Sequence, residues 1–302
     1  KGKNSETIDV IYILDDNGVL LDDLRIRDLL IVDPSTPISD IMDNRLISLN
    51  AEDPQEEAIK IFKMNNRVAL PVINTEGLLL GIVTIDDILW VANEEYSEDM
   101  QRFGGSGTLD EPYLDVPLHK LVWKRAGWLI VLFIGELLTA SVMQYYEDQL
   151  AKVIVLAMFL PLMISSGGNS GSQASTLIIQ AMAVGDVRLS DWWRVFRREI
   201  LSGASLGLIL GIIGFIRIYV WHFIFPHLYG EHWILVASTV SMSLIGIVLW
   251  GSLIGSMLPF ILRRLGADPA TSSAPFVATI VDVTGLMIYL SIAGVVFGAI
   301  LH

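Results

Sequence analysis

Val153-Ile-Val-Leu-Ala-Met-Phe-Leu-Pro161-Leu-Met-Ile-Ser-Ser-Gly-Gly-Asn169-Ser-Gly-Ser-Gln173-Ala-Ser-Thr-Leu177-Ile-Ile-Gln-Ala-Met-Ala-Val184 runs without one charged residue. A bilayer is crossed by about 20 apolar residues in a helix, and this stretch exceeds that. Four more stretches do the same: roughly 126–146, 200–225, 233–262 and 273–301. A helix apolar on all sides over such a length needs lipid or a large protein core around it. The chain therefore reads as a five-span membrane protein, all-α in this half.

Charge divides the chain at the start of the first span. Residues 1–117 hold 24 Asp/Glu against 9 Lys/Arg, and residues 118–302 hold 9 against 11. A water-soluble acidic front precedes a hydrophobic back. That sign excludes a nucleic-acid surface, which must be basic, and suits a domain that meets cations. The sequence has no cysteine, which excludes disulfides, thiolate metal sites and cysteine nucleophiles. The polar start, Lys1 to Asp9, has no apolar stretch of signal-peptide kind.

The loops orient the spans. Lys120, Lys124 and Arg125 precede the first, Arg188, Arg194, Arg197 and Arg198 lie between the second and third, and Arg263 and Arg264 between the fourth and fifth. With alternating spans all nine fall on one side, which the positive-inside rule makes the cytoplasm. The expectation is a multi-pass protein of the cell (inner) membrane, its N-terminus cytoplasmic and its C-terminus outside. Gly203, Gly207 and Gly211, like Gly251 and Gly255, are spaced for close helix packing. His227-Leu-Tyr-Gly-Glu-His232 lacks the helical spacing of a zinc peptidase motif.

Two places in the spans invite chemistry. Pro161, Gly167, Gly168 and Gly171 are poor helix formers around a polar run, so a break at membrane depth is expected there. Backbone freed by a break must be satisfied by protein or line a water-filled cavity; a packing kink is the plainer alternative. Asp282 lies about 10 residues into the fifth span, near the midplane, with no basic residue at comparable depth. An ionisable side chain there is costly and marks an ion path by default. Mg²⁺ keeps much of its water and is held by few carboxylates. Glu136 is also near mid-depth, where lining the path and a neutral, hydrogen-bonded role stand equal.

In the acidic half, a strand, a turn at Asp15–Gly18, a strand and a helix are followed 59 residues later by a similar unit turning at Asn74–Gly77, an internal repeat. The two units resemble a pair of CBS modules. Gly81-Ile-Val-Thr84-Ile-Asp-Asp87 matches the ending of such modules, where Thr84 and Asp87 hold a nucleotide ribose. The first copy has Arg25 where Ser or Thr would stand, and lacks its leading helix. A longer native chain is the expectation. Beyond the second copy Asp87, Glu94 and Glu98 share a helical face, and Glu94/Glu98 and Glu95/Asp99 are like-charge i,i+4 pairs that oppose the helix. Divalent cations would relieve that repulsion.

Pro161…Gly167-Gly-Asn-Ser-Gly-Ser-Gln-Ala-Ser-Thr-Leu177, Leu258-Pro-Phe…Arg263-Arg-Leu-Gly-Ala-Asp-Pro-Ala270 and Val281-Asp-Val-Thr-Gly-Leu286 together resemble the MgtE family of Mg²⁺ channels and transporters. The resemblance implies a homodimer in the bilayer with a pore on its axis, lined by the second and fifth spans. It implies Mg²⁺ bound at Asp282, with Asn169 and backbone near Ala278; Gly168 and Glu136 are the further candidates to line the path. It implies closure by cytosolic Mg²⁺ through Glu56, Asp87, Glu98, Asp99 and Asp268, and ATP at the CBS modules. The domains expected are 1–41 (partial first CBS module), 42–103 (second), 104–124 (a connecting, plug-like helix) and 125–302 (pore). The competing reading is a proton- or ion-coupled carrier for Mn²⁺, Co²⁺ or Ni²⁺. No catalytic residue and no enzymatic reaction is expected.

Overall fold

A computed structural model describes residues 7–43, 45–225 and 227–298. It divides into two units, Lys1–Glu98 and Asp99–His302. The expected last residues of the fifth span, 299–301, and the first six of the chain lie outside the described residues.

The first unit is built from two hairpins. Strands β1 (Val10–Leu14) and β2 (Leu20–Arg25) pair antiparallel and lead into the short helix α1 (Ile26–Ile31). Strand β3 (Leu49–Asn50) runs parallel to β4 (Ala69–Ile73), after helix α2 (Gln55–Asn65). Strand β5 (Leu79–Thr84) returns antiparallel to β4. The repeat is visible atom by atom. Asp15 Oδ1 accepts from the Val19 amide at 2.8 Å, and Asn74 Oδ1 accepts from the Leu78 amide at 2.9 Å. Gly18 and Gly77 close the two turns at φ +85° and +81°, a region open to glycine without strain. The turns then bond each other: the Leu20 amide donates to Gly77 at 3.0 Å and the Leu79 amide to Gly18 at 3.2 Å. Leu49, Phe62, Leu70 and Ile88 form the core of the second copy.

Helix α3 (Ile85–Phe103) follows β5. The helix expected over 104–124 is not a helix for most of that range. The chain is non-helical from 104 to 117 and regains helix at Leu118. The physical reason is Gly104-Gly105, with Gly105 at φ +74°, a left-handed stop, followed by Pro112 and Pro117.

The second unit holds five helical segments long and apolar enough to cross a membrane. They contain α4 (Leu118–Tyr145), α6 (Leu160–Ala183), α7 (Trp192–Ile224), α8 (Trp233–Arg264) and α9 (Ala274–Val296), with the short α5 (Glu147–Lys152) after α4. The expected break in the second span is absent: α6 is continuous from Leu160 to Ala183. Pro161 sits in the first turn of α6, where its missing N–H costs nothing, after a 3-10 segment Ile154–Phe159. The glycines serve contact instead. A Cβ at Gly251 would lie 2.5 Å from the Gly167 carbonyl, and one at Gly207 would lie 2.8 Å from that of Ile245. Only glycine lets α6, α7 and α8 approach this closely, the packing that membrane helices use in place of a hydrophobic driving force. Hydroxyls join the seam: Ser170 and Ser252 are 2.8 Å apart, and Ser241 donates to the Gly211 carbonyl at 2.9 Å. Met163, Ile247, Leu286 and Tyr289 are fully buried at its centre.

Candidate functional site

Asp282 is positioned by α9. Ser273 caps that helix, accepting from the Phe276 amide at 3.3 Å, and also accepts from the Trp128 indole at 3.0 Å. Two further turns carry the chain to Asp282, about 12 Å along at 1.5 Å per residue. One of its carboxylate oxygens, Oδ1, is buried and without a hydrogen-bond partner. A buried carboxylate oxygen in that state calls for water, a proton or a cation.

Helix α6 supplies the opposite wall. Gly168 faces α9: a Cβ there would stand 3.4 Å from both Ala278 Cβ and Asp282 Oδ1. The missing side chain brings the α6 backbone beside the carboxylate. One turn away, Ser172 donates to the Ala274 carbonyl at 3.2 Å. Asn169 is exposed, and its amide nitrogen donates to Ser165 at 3.3 Å. Helix α4 brings Glu136, itself exposed, within hydrogen-bond reach of the Asp282 carboxyl. The structure thus gathers Asp282, Gly168, Ala278 and Glu136, with Asn169 on the adjoining open face.

That open face is the feature sequence reading missed. Ser165, Asn169, Gln173, Thr176 and Gln180 all lie exposed along α6. Their spacing of three to four residues forms one polar stripe. Side chains of this kind on a membrane helix face water or protein rather than hydrocarbon. The 3.6-residue period was present in the sequence, hidden by the glycines that suggested a break.

The remaining acids are dispersed over both units. Glu56 on α2 and Asp87 on α3 are exposed, and Glu98 on α3 is partly so. Thr84 donates to Asp87 at 3.0 Å. Asp99 and Asp268 belong to the second unit. Asp268 accepts from Arg102 at 2.6 Å and from the Ala270 amide at 2.9 Å, so its carboxylate is engaged by a cation. Among the described residues, no three His, Asp or Glu side chains are gathered to hold a metal ion.

Comparison with known proteins places this architecture. Residues 160–292 match the family MgtE, divalent cation transporter, and residues 38–94 match the CBS domain. A magnesium transporter MgtE of Thermus thermophilus is 39% identical over 297 residues, 98% of this chain. The chain belongs to the MgtE family. The MgtE of Enterococcus faecalis is 32% identical over 96% of the chain. The chain spans 64% and 61% of the length of these two MgtE relatives. A crystal structure of the cytosolic domain of the Mg²⁺ channel MgtE in complex with ATP is 39% identical. It covers 29% of this chain and 35% of that one, with a TM-score of 0.28.

Proposed function

We propose that the chain forms a homodimeric Mg²⁺ pathway through the cell membrane, with Asp282 as its ion site. The observation that carries this reading is the pairing of an unpartnered Asp282 oxygen with an exposed polar stripe on α6. In one chain the stripe is open on the outside of the bundle. Two chains meeting across it would enclose water. Hydrated Mg²⁺ fits such a space, since it gives up its water shell reluctantly and takes only one or two carboxylates. Asn169 and the backbone near Ala278 would bond to that water shell, and Gly168 would leave room for it.

The orientation we propose has the N-terminus in the cytoplasm, on the side of the nine Lys and Arg residues of the loops. Closure by cytosolic Mg²⁺ is supported by the density of acid on α3, where Asp87, Glu94 and Glu98 share a face. In this proposal Glu56, Asp99 and Asp268 complete the sensor between chains or between states, and Asp268 exchanges Arg102 for the metal. The Thr84–Asp87 hydrogen bond supports nucleotide binding at the same module.

A second reading is favoured by one contact. Two carboxyls, Glu136 and Asp282, stand within hydrogen-bond reach of each other. A proton-coupled carrier for Mn²⁺, Co²⁺ or Ni²⁺ would use such a pair.

Mg²⁺ flux into proteoliposomes separates the two. With Asp282→Asn, passive flux is expected to fall by at least about tenfold, about 1.4 kcal/mol of barrier at the proposed ion site. Undiminished flux in that variant would remove Asp282 from the path. Flux that requires a proton gradient, and that Glu136→Gln uncouples from it, would select the carrier.

A further inference from the structure

We propose that a pocket at the start of α4 binds the phosphate of an anionic membrane phospholipid. The cavity, about 240 Å³, is lined by Arg102, Lys124, Trp128, Thr271 and the backbone of Gly105–Gly107.

Its position on α4 is the first ground. Trp123, Leu129, Ile130 and Phe133 are exposed along this helix, which is long and apolar enough to cross a membrane. Lys124 and Trp128 stand one turn apart near the start of this apolar surface. Tryptophan concentrates at that interfacial level, and lysine places its charge among headgroups there. A basic pocket between helices at this level is what lipid phosphates occupy.

Its construction is the second. The 104–107 segment lies flat on α4: the Gly107 amide donates to the Lys124 carbonyl at 2.9 Å, and Ser106 donates to Gln101. A Cβ at Gly105 would stand 2.7 Å from the Trp128 ring, and one at Gly107 would stand 3.1 Å from Lys124 Cδ. The floor is closed by glycine, and the lysine stem and indole make an apolar wall. A glycerol backbone and the first acyl carbons suit that wall. Lys124 Nζ forms an ion pair with Asp110 at 3.6 Å, and an ammonium, with three donors, can bond a phosphate besides. Arg102, held to Asp268 at 2.6 Å, fixes a second positive charge at the rim. The acids nearby, Asp110 and Asp268, do not line the cavity.

The test is native mass spectrometry of the full chain in detergent, titrated separately with phosphatidylglycerol, phosphatidylcholine and inorganic phosphate. Phosphatidylglycerol is expected to be retained at about one lipid per chain, with phosphatidylcholine bound more weakly. Lys124→Gln is expected to weaken phosphatidylglycerol retention about fivefold, the contribution of one lysine at a lipid surface, and Lys124→Arg to restore it. Arg197→Gln, on the exposed start of α7, changes only diffuse binding and leaves the single retained lipid. Asp110→Asn removes the ion pair that Lys124→Gln removes, and the neighbouring one to Lys120, while keeping the Lys124 ammonium. Retention in Asp110→Asn therefore distinguishes loss of ligand contact from loss of local structure. Equal retention of both lipids, unchanged retention in Lys124→Gln, or loss in Asp110→Asn would each overturn the proposal. Millimolar inorganic phosphate displacing the lipid completely would assign the pocket to a free anion instead.

Discussion

At the scale of single residues the internal repeat carries a difference with a consequence. Asp15 and Asn74 do the same work in the two turns, each accepting from two backbone amides. Only Asp15 titrates. The Val19 amide, followed by those of Asn17 and Gly18, holds its carboxyl below the usual carboxylate range. A depressed acid stabilises the fold above its unfolded pKa and loses that contribution as pH falls through the folded one. The first turn is therefore acid-sensitive and the second is not. Hydrogen exchange at the Val19 amide is expected to lose protection as pH drops below the carboxylate range, with Leu78 unaffected. Asp15→Asn copies the second turn and is expected to abolish that dependence, whereas Asp15→Ala opens the turn at every pH. Equal acid sensitivity at Val19 and Leu78 would refute the assignment. The same scale shows what sequence makes legible. Asp282 and Glu136 were identified because an acid in an apolar run has no ordinary explanation. Their mutual contact, and the Arg102–Asp268 pair across 166 positions of sequence, depend on packing that no local pattern encodes.

At the scale of elements, hydropathy located all five spans, and the repeated turns Asp15–Gly18 and Asn74–Gly77 between apolar runs located the paired hairpins. Two expectations failed, for opposite reasons. In the second span glycine and proline were read as a break by the rules of helices in water. In α6 the missing hydrogen bond at Pro161 falls at the helix start, and each glycine is compensated by a neighbouring backbone in contact. Over 104–124 the error ran the other way: Gly104-Gly105 is a genuine stop, with Gly105 left-handed at φ +74°. The distinction can be measured. Gly255 stands against the Gly171 backbone with no room for a Cβ, whereas a Cβ at Gly127 meets nothing within 4 Å. Gly255→Ala is expected to destabilise the helical unit by about 1–3 kcal/mol, the range for overpacking. Gly127→Ala is expected to leave it unchanged or slightly raised, as alanine is the better helix former. Thermal unfolding in detergent reads both; equal midpoints for the two variants would mean that α6 and α8 do not meet as described.

At the scale of the whole molecule, a single chain carries polar groups on the outside of its helical unit. Helix α4 buries almost none of its apolar surface within the chain, and Glu136 lies exposed on it. The α6 stripe of Ser165, Asn169, Gln173 and Thr176 is exposed as well. Lipid cannot satisfy either set of polar groups. The apolar faces of α4 and α7 have no such conflict with hydrocarbon. In the proposed homodimer the two polar features face a second copy and α7 faces the bilayer, a two-fold contact in which each surface meets itself. Because the chain has no cysteine, single substitutions report on this directly. Gln173→Cys is expected to form an intermolecular disulfide in membranes under mild oxidation, at the 4.4–6.8 Å Cα separations that such bonds require, about 5.5 Å being commonest. Leu208→Cys, on the exposed face of α7, is expected to stay monomeric under the same oxidant. Mg²⁺ sharpens the reading, since an ion held between two Asp282 carboxylates would steady the interface and raise the yield at position 173, and Asp282→Asn would remove that increment without abolishing the basal bond. Cross-linking at 208 with none at 173 would place the partner against α7, leaving the α6 stripe to line a pathway within one chain.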